Sequence, residues 1–385
     1  MPSRLSARDF SMVIALLLIC GFFSVDWAAL LHGGGLHVSS FLSARNLSHL
    51  VTELSITGTL AMGMFIIILP GHIDLSAGSG VGLLGGIASV LIIQHDVPAP
   101  AALAVALAAG VLLWFLMGTL IVRERIPAFI ITLGGMLIYK GLFWQVIGSS
   151  TIPVTHGGED NLYSLLTTYY LPPLAGLILA ALLSLGVILA SLHNRRQMRS
   201  HGFAEEDRET HFLKLFVTVQ AMFLFVIVTN QFRGIPLPAM ILGTLAMGVY
   251  ALTKHTPFGR YLYAVGGSEE AAVVSGLPVQ KVVIAAFAIM GGIVAVTGFM
   301  QTSYTGSSTT TIGELMELDA VAACVIGGVS LRGGRGSVMG ALFGALIMAC
   351  LLNGMWLMAI PEWKKLVARG AVLILAVWMD KRLEK

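Results

Sequence analysis

Residues 99–122 read APAALAVALAAGVLLWFLMGTLIV, a stretch without a single charged side chain. A helix needs about 20 predominantly apolar residues to cross the hydrocarbon core of a bilayer. A helix is also one of the few structures that can do so, because all of its backbone N–H and C=O groups are bonded within the segment. This stretch therefore predicts a transmembrane helix.

The rest of the chain has the same character. Of its 385 residues, 56% are hydrophobic and only 11% are charged, whereas soluble domains carry about 25% charged residues. The sequence therefore predicts an all-α, polytopic transmembrane helical bundle of about 10–12 spans, formed by one transmembrane domain over residues 1–385. The apolar segments lie at 11–31, 50–69, 78–94, 99–122, 128–147, 171–192, 213–229, 236–253, 282–302, 318–330, 337–354 and 364–380.

The ends of these segments indicate how the chain is oriented. The first segment is too long for the apolar core of a signal peptide, so we interpret it as an uncleaved span. Most of the 23 Lys and Arg residues fall in alternate loops, on the side that also holds both termini. Because cytoplasmic loops are enriched in basic residues, both termini are predicted to be cytoplasmic.

Residues 71–79 read GHIDLSAGS and place a carboxylate between two apolar segments. An acidic side chain at membrane depth persists where it faces a cavity, has a partner, or caps a helix. Two hypotheses stay open: Asp74 or Ser76 caps a helix that starts here, or the segment lines a translocation path. The candidate path residues are Gly71, Asp74, Ser76 and Gly78, together with Ser330 from a related stretch.

That related stretch, residues 327–337, reads GGVSLRGGRGS. Its glycines match those of the first stretch in spacing, which either is accidental in a chain with 44 glycines or marks an internal repeat of undetermined orientation. The segment 318–330 is too short to span alone, so residues 70–77 and 318–336 are candidates for re-entrant or broken helices. Glycines at every fourth position would let the spans pack closely. The close-packing candidates are Gly82, Gly86, Gly336, Gly340 and Gly344.

Residues 254–281 are predicted to form a cytoplasmic segment of the same domain. Ser268 is a good N-cap, two acidic residues follow in the first turn, and Gly276 ends the pattern. We therefore predict a short helix over 268–275, outside the membrane. Its apolar residues are covered either by a protein partner or by the bundle itself. The residues singled out in this segment are Ser268, Glu269, Glu270, Ala271, Ala272, Ser275 and Gly276.

Several chemistries have no counterpart in the sequence. No Gly-Lys dipeptide occurs, so the phosphate-binding loop of nucleotide hydrolases is missing, and neither HExxH nor GxSxG is present. Cys20, Cys324 and Cys350 lie in apolar segments without metal or disulfide spacing. We therefore expect no catalytic residue, metal site or cofactor, and a protein that is not itself an enzyme.

A transporter driven by an ion gradient is the alternative function. Glu53, Lys140 and Asp319 lie within or at the edges of apolar segments, and intramembrane ionisable residues can form a proton or cation path. Snorkelling or helix capping would explain the same three residues without any transport role. An ion-coupled secondary transporter of a small polar solute is therefore the second hypothesis.

Five stretches, in this order, resemble the permeases of bacterial ATP-binding-cassette importers of the ribose, xylose and galactose class, within the superfamily that includes branched-chain amino acid permeases. The details are most similar to the xylose-type permeases. The stretches are ARNL from Ala44, GHIDLSAGS from Gly71, IPAFIITLGGM from Ile126, FGRYLYAVGGSEEAAVVSG from Phe258 and ELDAVAACVIGGVSLRGGRGSVMG from Glu317.

The resemblance implies that the chain is one subunit of an ATP-driven importer in the bacterial inner membrane. This subunit would translocate a monosaccharide, a pentose such as D-xylose. The expected partners are a cytoplasmic ATP-binding subunit with two fused cassettes, a periplasmic sugar-binding protein, a second copy of the permease and membrane lipid, with no nucleic acid. The resemblance makes 254–281 the coupling segment, and the residues singled out in it become the coupling candidates. The predicted helix over 268–275 would then dock on the ATP-binding subunit and transmit its closure to the bundle.

Overall fold

A computed structural model of the chain describes residues 7–25, 39–201 and 208–383. These parts are almost entirely helical, with one 3₁₀ turn at Ser40–Leu42 and four strands of two residues each. The α-helices, numbered α1 to α15, are Ala7–Ser24, Ala44–Ile68, Ala77–Gln94, Ala99–Glu124, Ala128–Val146, Leu162–Thr168, Pro173–Ser200, Arg208–Asn230, Leu237–His255, Pro257–Gly267, Glu269–Val274, Val279–Thr305, Met316–Ile326, Val338–Leu357 and Glu362–Leu383. The strands, β1 to β4, are Ile152–Pro153, Tyr170–Leu171, Ile235–Pro236 and Ser307–Ser308.

Each of the twelve predicted apolar segments overlaps one of these helices, which confirms the all-α polytopic bundle. Within the described residues, 8 helices are long and apolar enough to cross a membrane, and two shorter apolar helices occur at Met12–Ser24 and Ala77–Ile93. Helix α13 has 11 residues, about 16 Å at 1.5 Å per residue, so it is too short to span alone, as its sequence predicted. The end of the predicted segment 11–31 and residues such as Arg4 and Lys385 lie outside the described part.

Helix α12 is the centre of the bundle and packs against α2, α3 and α4. Glycines permit two of these crossings, since a Cβ at Gly291 would overlap the carbonyl oxygen of Gly110 in α4. In the same way, a Cβ at Gly298 would press on Val81 and Gly85 of α3. Close backbone approach through small residues is the usual way for membrane helices to gain packing.

Helices α13 and α14 form a second closely packed pair against α2. A side chain at Gly340 would overlap the backbone of Gly327, and one at Gly344 would overlap the carbonyl oxygen of Ala323. The matching glycines of α3 face other neighbours, because Gly82 and Gly86 both lie against the ring of Phe143. All four glycines therefore sit where no side chain fits.

The pair formed by α7 and α8 is peripheral. These helices pack mainly against each other, and they expose large apolar side chains such as Leu174, Leu182 and Leu224. Exposed leucines along a long apolar helix are the surface that a bilayer covers. Short antiparallel pairings of β1 with β4 and of β2 with β3 connect the irregular segments beyond the helix ends.

One helix of the coupling segment was not predicted. Helix α10 begins after Thr256, whose hydroxyl accepts a hydrogen bond from the Gly259 N–H at 3.2 Å, with Pro257 at its first position. The predicted short helix is present as α11, Glu269–Val274, directly after α10. Together α10 and α11 lie at one end of the bundle, called the α10–α11 end below.

Candidate functional site

The two glycine-rich stretches and helix α10 meet at the α10–α11 end. The Gly334 N–H donates to the Leu69 carbonyl at 2.9 Å, and the Tyr263 hydroxyl donates to the Gly336 carbonyl at 3.0 Å. A side chain at Gly266 would overlap both the Leu69 carbonyl and the Gly334 backbone. We call this contact among Leu69, Gly266 and Gly334 the glycine junction; it is made of backbone atoms from three distant parts of the chain.

Asp74 and Ser76 lie together just before the start of α3. The Asp74 carboxylate accepts hydrogen bonds from the Ser76 N–H at 2.8 Å and from the Ser76 hydroxyl at 2.6 Å. It also accepts one from the Trp114 indole N–H at 2.6 Å, and the side chains of all three residues are fully buried. The carboxylate therefore ties the start of α3 to α4. Of the two capping candidates, Asp74 is the one whose side chain accepts a hydrogen bond from a backbone N–H. The Ser76 hydroxyl donates to the Asp74 carboxylate.

Two of the other three path candidates, Gly78 and Ser330, also have local structural roles. A Cβ at Gly78 would overlap the Glu317 carboxylate and the Gly313 carbonyl, so Gly78 is where the irregular stretch before α13 reaches α3. Ser330 is buried, and its side-chain oxygen accepts a hydrogen bond from the Arg332 N–H at 3.3 Å. Both residues shape the backbone around them.

Helix α11 has one covered side and one open side. Its cap is as predicted, because the Ser268 side chain accepts a hydrogen bond from the Ala271 N–H at 3.2 Å, and Gly276 ends it at a φ of +75°. Ala272 is buried against the bundle, whereas Val274 is 88% exposed. The open side of α11 therefore carries an exposed apolar side chain.

A cavity of about 740 Å³ opens beside α11, between the ends of α4, α5 and α12. Gly71 and His72 line it from one side, and Arg125, Glu269 and Gln280 line it from the others. Burial lowers the pKa of His72, an effect that the negative charge of Glu269 opposes. His72 is therefore kept mainly neutral near pH 7, next to the helix predicted to couple the bundle to a partner.

A second concave region lies at the opposite end of the bundle. Two adjoining cavities, of about 420 and about 400 Å³, share Glu53, Tyr304 and Trp356 in their walls. Asn353 lines the first of them. We call the region around these four residues the Glu53 pocket. Glu53 lies nine residues after Ala44, about 14 Å along α2, so the pocket reaches deep into the bundle.

A chain of side-chain hydrogen bonds builds the wall of the Glu53 pocket. The Asn46 amide donates to the Asn353 side-chain oxygen at 2.9 Å, and the Asn353 amide donates to the Glu53 carboxylate at 3.1 Å. The Tyr304 hydroxyl donates to the other carboxylate oxygen at 3.3 Å. Asn46 and Asn353 are buried, so they hold the carboxylate in place from behind.

A broken helix forms the floor of this region. Residues 309–316 line the second cavity in part, and the backbone has positive φ at Gly313 and Leu315 just before α13 begins. At about 16 Å, α13 covers only about half of a hydrocarbon core of about 30 Å, so it cannot cross a bilayer alone. Short helices next to an irregular stretch and a cavity are a recurrent feature of transporter binding sites.

The three ionisable residues of the alternative hypothesis each have a partner. The Lys140 ammonium lies 2.7 Å from the Glu314 carboxylate, and the Arg369 guanidinium lies 3.5 Å from Asp319. Glu53 bonds to neutral side chains only. Ion pairing and hydrogen bonding therefore account for all three. Among the described residues, no group of three or more His, Cys, Asp or Glu side chains could hold a metal ion.

The structure therefore separates the residues predicted from sequence. The coupling candidates lie at the α10–α11 end, as do Gly71 and Ser330, while Asp74 and Ser76 line none of the three cavities described above. Tyr304, Asn353 and Trp356 were missed. The only sequence signal was the ARNL stretch, whose asparagine, Asn46, proves to bond Asn353 across 307 positions.

Comparison with known proteins identifies the class. The chain belongs to the family described as the permease component of the branched-chain amino acid transport system, which matches residues 46–377. It is a multi-pass membrane protein of that family, in agreement with its apolar helices.

Among individual proteins, the chain is similar to permeases of sugar transport systems. The xylose transport system permease protein XylH of Escherichia coli K12 is 36% identical over 99% of this chain and 93% of its own length. XylH of Haemophilus influenzae is 35% identical over 98% of this chain and 96% of its own. The ribose import permease protein RbsC of H. influenzae is 29% identical over 98% of this chain and 93% of its own. No solved structure matches the chain.

Proposed function

We propose that this chain is the membrane-spanning permease subunit of an ATP-binding-cassette importer that carries D-xylose across the bacterial inner membrane. The observation that carries the proposal is the full-length similarity to xylose permeases from two bacteria, at 36% and 35% identity. The lower identity to a ribose permease, 29%, favours xylose among the pentoses. The chain itself supplies no nucleotide-binding loop, so the energy for transport would come from a partner.

The proposed partners are those of such an importer. A cytoplasmic subunit with two fused ATP-binding cassettes would dock on α11, where Val274 is exposed beside the cavity lined by His72 and Glu269. A second permease copy would complete the membrane part, and a periplasmic sugar-binding protein would deliver the sugar at the opposite end. The abundance of Lys and Arg in the loops of the α10–α11 end supports a cytoplasmic placement of that end and of both termini.

The two sets of predicted residues take different parts in this proposal. Closure of the cassettes would push on α11, and the backbone contacts of the glycine junction would pass that displacement to α2 and α14. Rigid elements packed without side chains between them suit this role, because small shifts are not absorbed by side-chain rearrangement. The coupling segment 254–281 would thus act within the single permease domain.

The test is reconstitution. Proteoliposomes that contain this chain, its ATP-binding subunit and the sugar-binding protein should accumulate D-xylose only when ATP is supplied, and omission of any one component should abolish uptake. Uptake by this chain alone, driven by a proton or sodium gradient, would contradict the proposal and establish the ion-coupled alternative. A panel of pentoses and hexoses added to the same system would show whether D-xylose is the preferred sugar.

A further inference from the structure

The Glu53 pocket has the size and composition of a small-molecule site. Its two cavities, of about 420 and about 400 Å³, fall within the range of roughly 300–1,000 Å³ that ligand pockets occupy. Such pockets combine an aromatic surface with a few polar groups in fixed positions. Trp356 and Tyr304 supply the first, and Glu53 and Asn353 supply the second.

The hydrogen-bonding capacity of the pocket is not used up. A carboxylate can accept about four hydrogen bonds, and Glu53 accepts one from Asn353 and one from Tyr304. The Tyr304 oxygen, which donates to Glu53, still has lone pairs that can accept. The pocket therefore presents acceptors to any molecule that enters it, and a ligand with several O–H donors matches them.

The bonding partners of Glu53 are neutral. Asn353 and Tyr304 hold the carboxylate by hydrogen bonds. Arg45 and His49 line the same cavity, so it also contains basic side chains. The hydroxyls of a neutral polyol can donate to the carboxylate and accept from the guanidinium of Arg45. The pocket therefore offers both acceptors and donors to a sugar.

Trp356 completes the match. Its side chain is 67% exposed at the wall shared by both cavities, so it does not serve the core. A sugar ring carries C–H groups on one face and hydroxyls at its edge, and an indole can cover the first while leaving the second free to bond. The aromatic face and the acceptors of Glu53 are therefore complementary to a single monosaccharide.

We propose that the Glu53 pocket is a monosaccharide-binding subsite of the permease itself, in which Glu53 and Tyr304 accept hydrogen bonds from sugar hydroxyls and Trp356 stacks on the ring. The inference rests on the proposed function, since it concerns the sugar that the importer carries. Its consequence is that selection does not end with the sugar-binding protein, because the permease holds the released sugar before it crosses the bundle.

Binding is measured on the permease bound to its ATP-binding subunit in lipid nanodiscs, without the sugar-binding protein. D-xylose is the probe, followed by saturation-transfer NMR, and we expect it to contact the permease. Glu53→Gln should weaken binding about tenfold, because it replaces a charged acceptor by a neutral amide. Trp356→Ala should weaken binding by a similar factor, because it removes the aromatic face on which the ring stacks. Trp144→Phe, at another exposed tryptophan (46%), is the matched control and should bind as the wild type.

Transport then separates this inference from the proposed function. With wild-type uptake established, Glu53→Gln and Trp356→Ala should reduce uptake about tenfold, whereas Trp356→Phe should restore part of it, and ATPase stimulation by the sugar-binding protein should persist in all three. Persistence of that stimulation shows that a variant is folded and assembled. Normal uptake by both variants, or unchanged binding of D-xylose to both, would overturn the subsite while leaving the importer in place. Failure of the wild type to transport D-xylose would instead count against the proposed function.

Discussion

The two ends of the bundle are held together by different kinds of contact. At the α10–α11 end, distant segments meet through backbone atoms, as at the glycine junction of Leu69, Gly266 and Gly334. At the opposite end, they meet through side chains, as in the hydrogen bonds that join Asn353 to Glu53. Backbone contacts leave no room for adjustment, whereas side chains can exchange one hydrogen-bond partner for another. The first arrangement suits transmission of a displacement, and the second suits recognition of a ligand.

The first test of this difference between the two ends adds one carbon atom to the glycine junction. Gly266→Ala would place a methyl group against the Leu69 carbonyl and the Gly334 backbone, which can yield only by moving α2 or the second glycine-rich stretch. We expect destabilisation of about 3 kcal/mol or more, at or beyond the upper end for overpacking. Fluorescence-detected size exclusion of a tagged variant would report the loss of folded protein.

The next residue along the chain is the control. Gly267 has no atom within 4 Å of the position that a Cβ would take. The variant Gly267→Ala, one residue further along helix α10, should therefore give a normal elution profile. Equal behaviour of the two variants, whether both normal or both misfolded, would show that the glycine junction is not the constraint described here.

Asp74 provides the second test, because its two hypotheses predict different results. Asp74→Ala removes the acceptor of the Trp114 indole and of Ser76, leaving buried donors unpaired at about 1–3 kcal/mol each, so the melting temperature in detergent should fall. Asp74→Asn should lower the melting temperature less, since the amide oxygen still accepts a hydrogen bond. Loss of D-xylose uptake without any loss of thermal stability would instead favour the translocation-path hypothesis.

A matched substitution isolates the effect of burial. Asp96 is exposed in a loop and has a φ of +52°, a conformation that asparagine tolerates as well as aspartate does. Asp96→Asn should therefore leave the melting temperature unchanged. A fall comparable to that of Asp74→Asn would mean that the charge of the chain, and not the buried hydrogen bonds, determines the response.

Local patterns in the sequence predicted the fold and the α10–α11 end well. Each apolar segment overlaps a helix, and Ser268 caps α11 as its position predicted. These features depend on neighbours within a few residues. Helix α10 was missed although Thr256 and Pro257 carry a regular start signal.

The Glu53 pocket could not be found in this way. Asn353 and Glu53 are 300 positions apart, and nothing near either residue indicates the other. Asparagine and tryptophan are also ordinary residues at helix ends, so only the packing of α2, α12 and α14 brings them to one cavity. Ala272 shows the same limit on a smaller scale, since its burial against the bundle depends on where α11 lies.

The coupling face of α11 is the third test, at a site where no internal contact is lost. Val274 is 88% exposed, so Val274→Glu should leave folding intact while placing a charge in an apolar contact with the ATP-binding subunit. We expect about tenfold weaker co-purification of that subunit, equivalent to about 1.4 kcal/mol, with ATP-driven uptake reduced in parallel. Val274→Thr, similar in shape, should retain most of the association. Unchanged co-purification with Val274→Glu would exclude this face from docking.

The smallest effect belongs to the ion pair between Lys140 and Glu314, which fastens the irregular stretch before α13 to α5. Their side chains are 39% and 48% exposed, so screening limits the pair to about 0–1 kcal/mol. Lys140→Ala and Glu314→Ala, singly and combined, form a double-mutant cycle whose coupling energy is read from unfolding in detergent. A coupling above about 3 kcal/mol would place the pair in a poorly solvated site, where an unpaired charge is costly. The end of the bundle that recognises ligand would then be as rigid as the end that transmits motion.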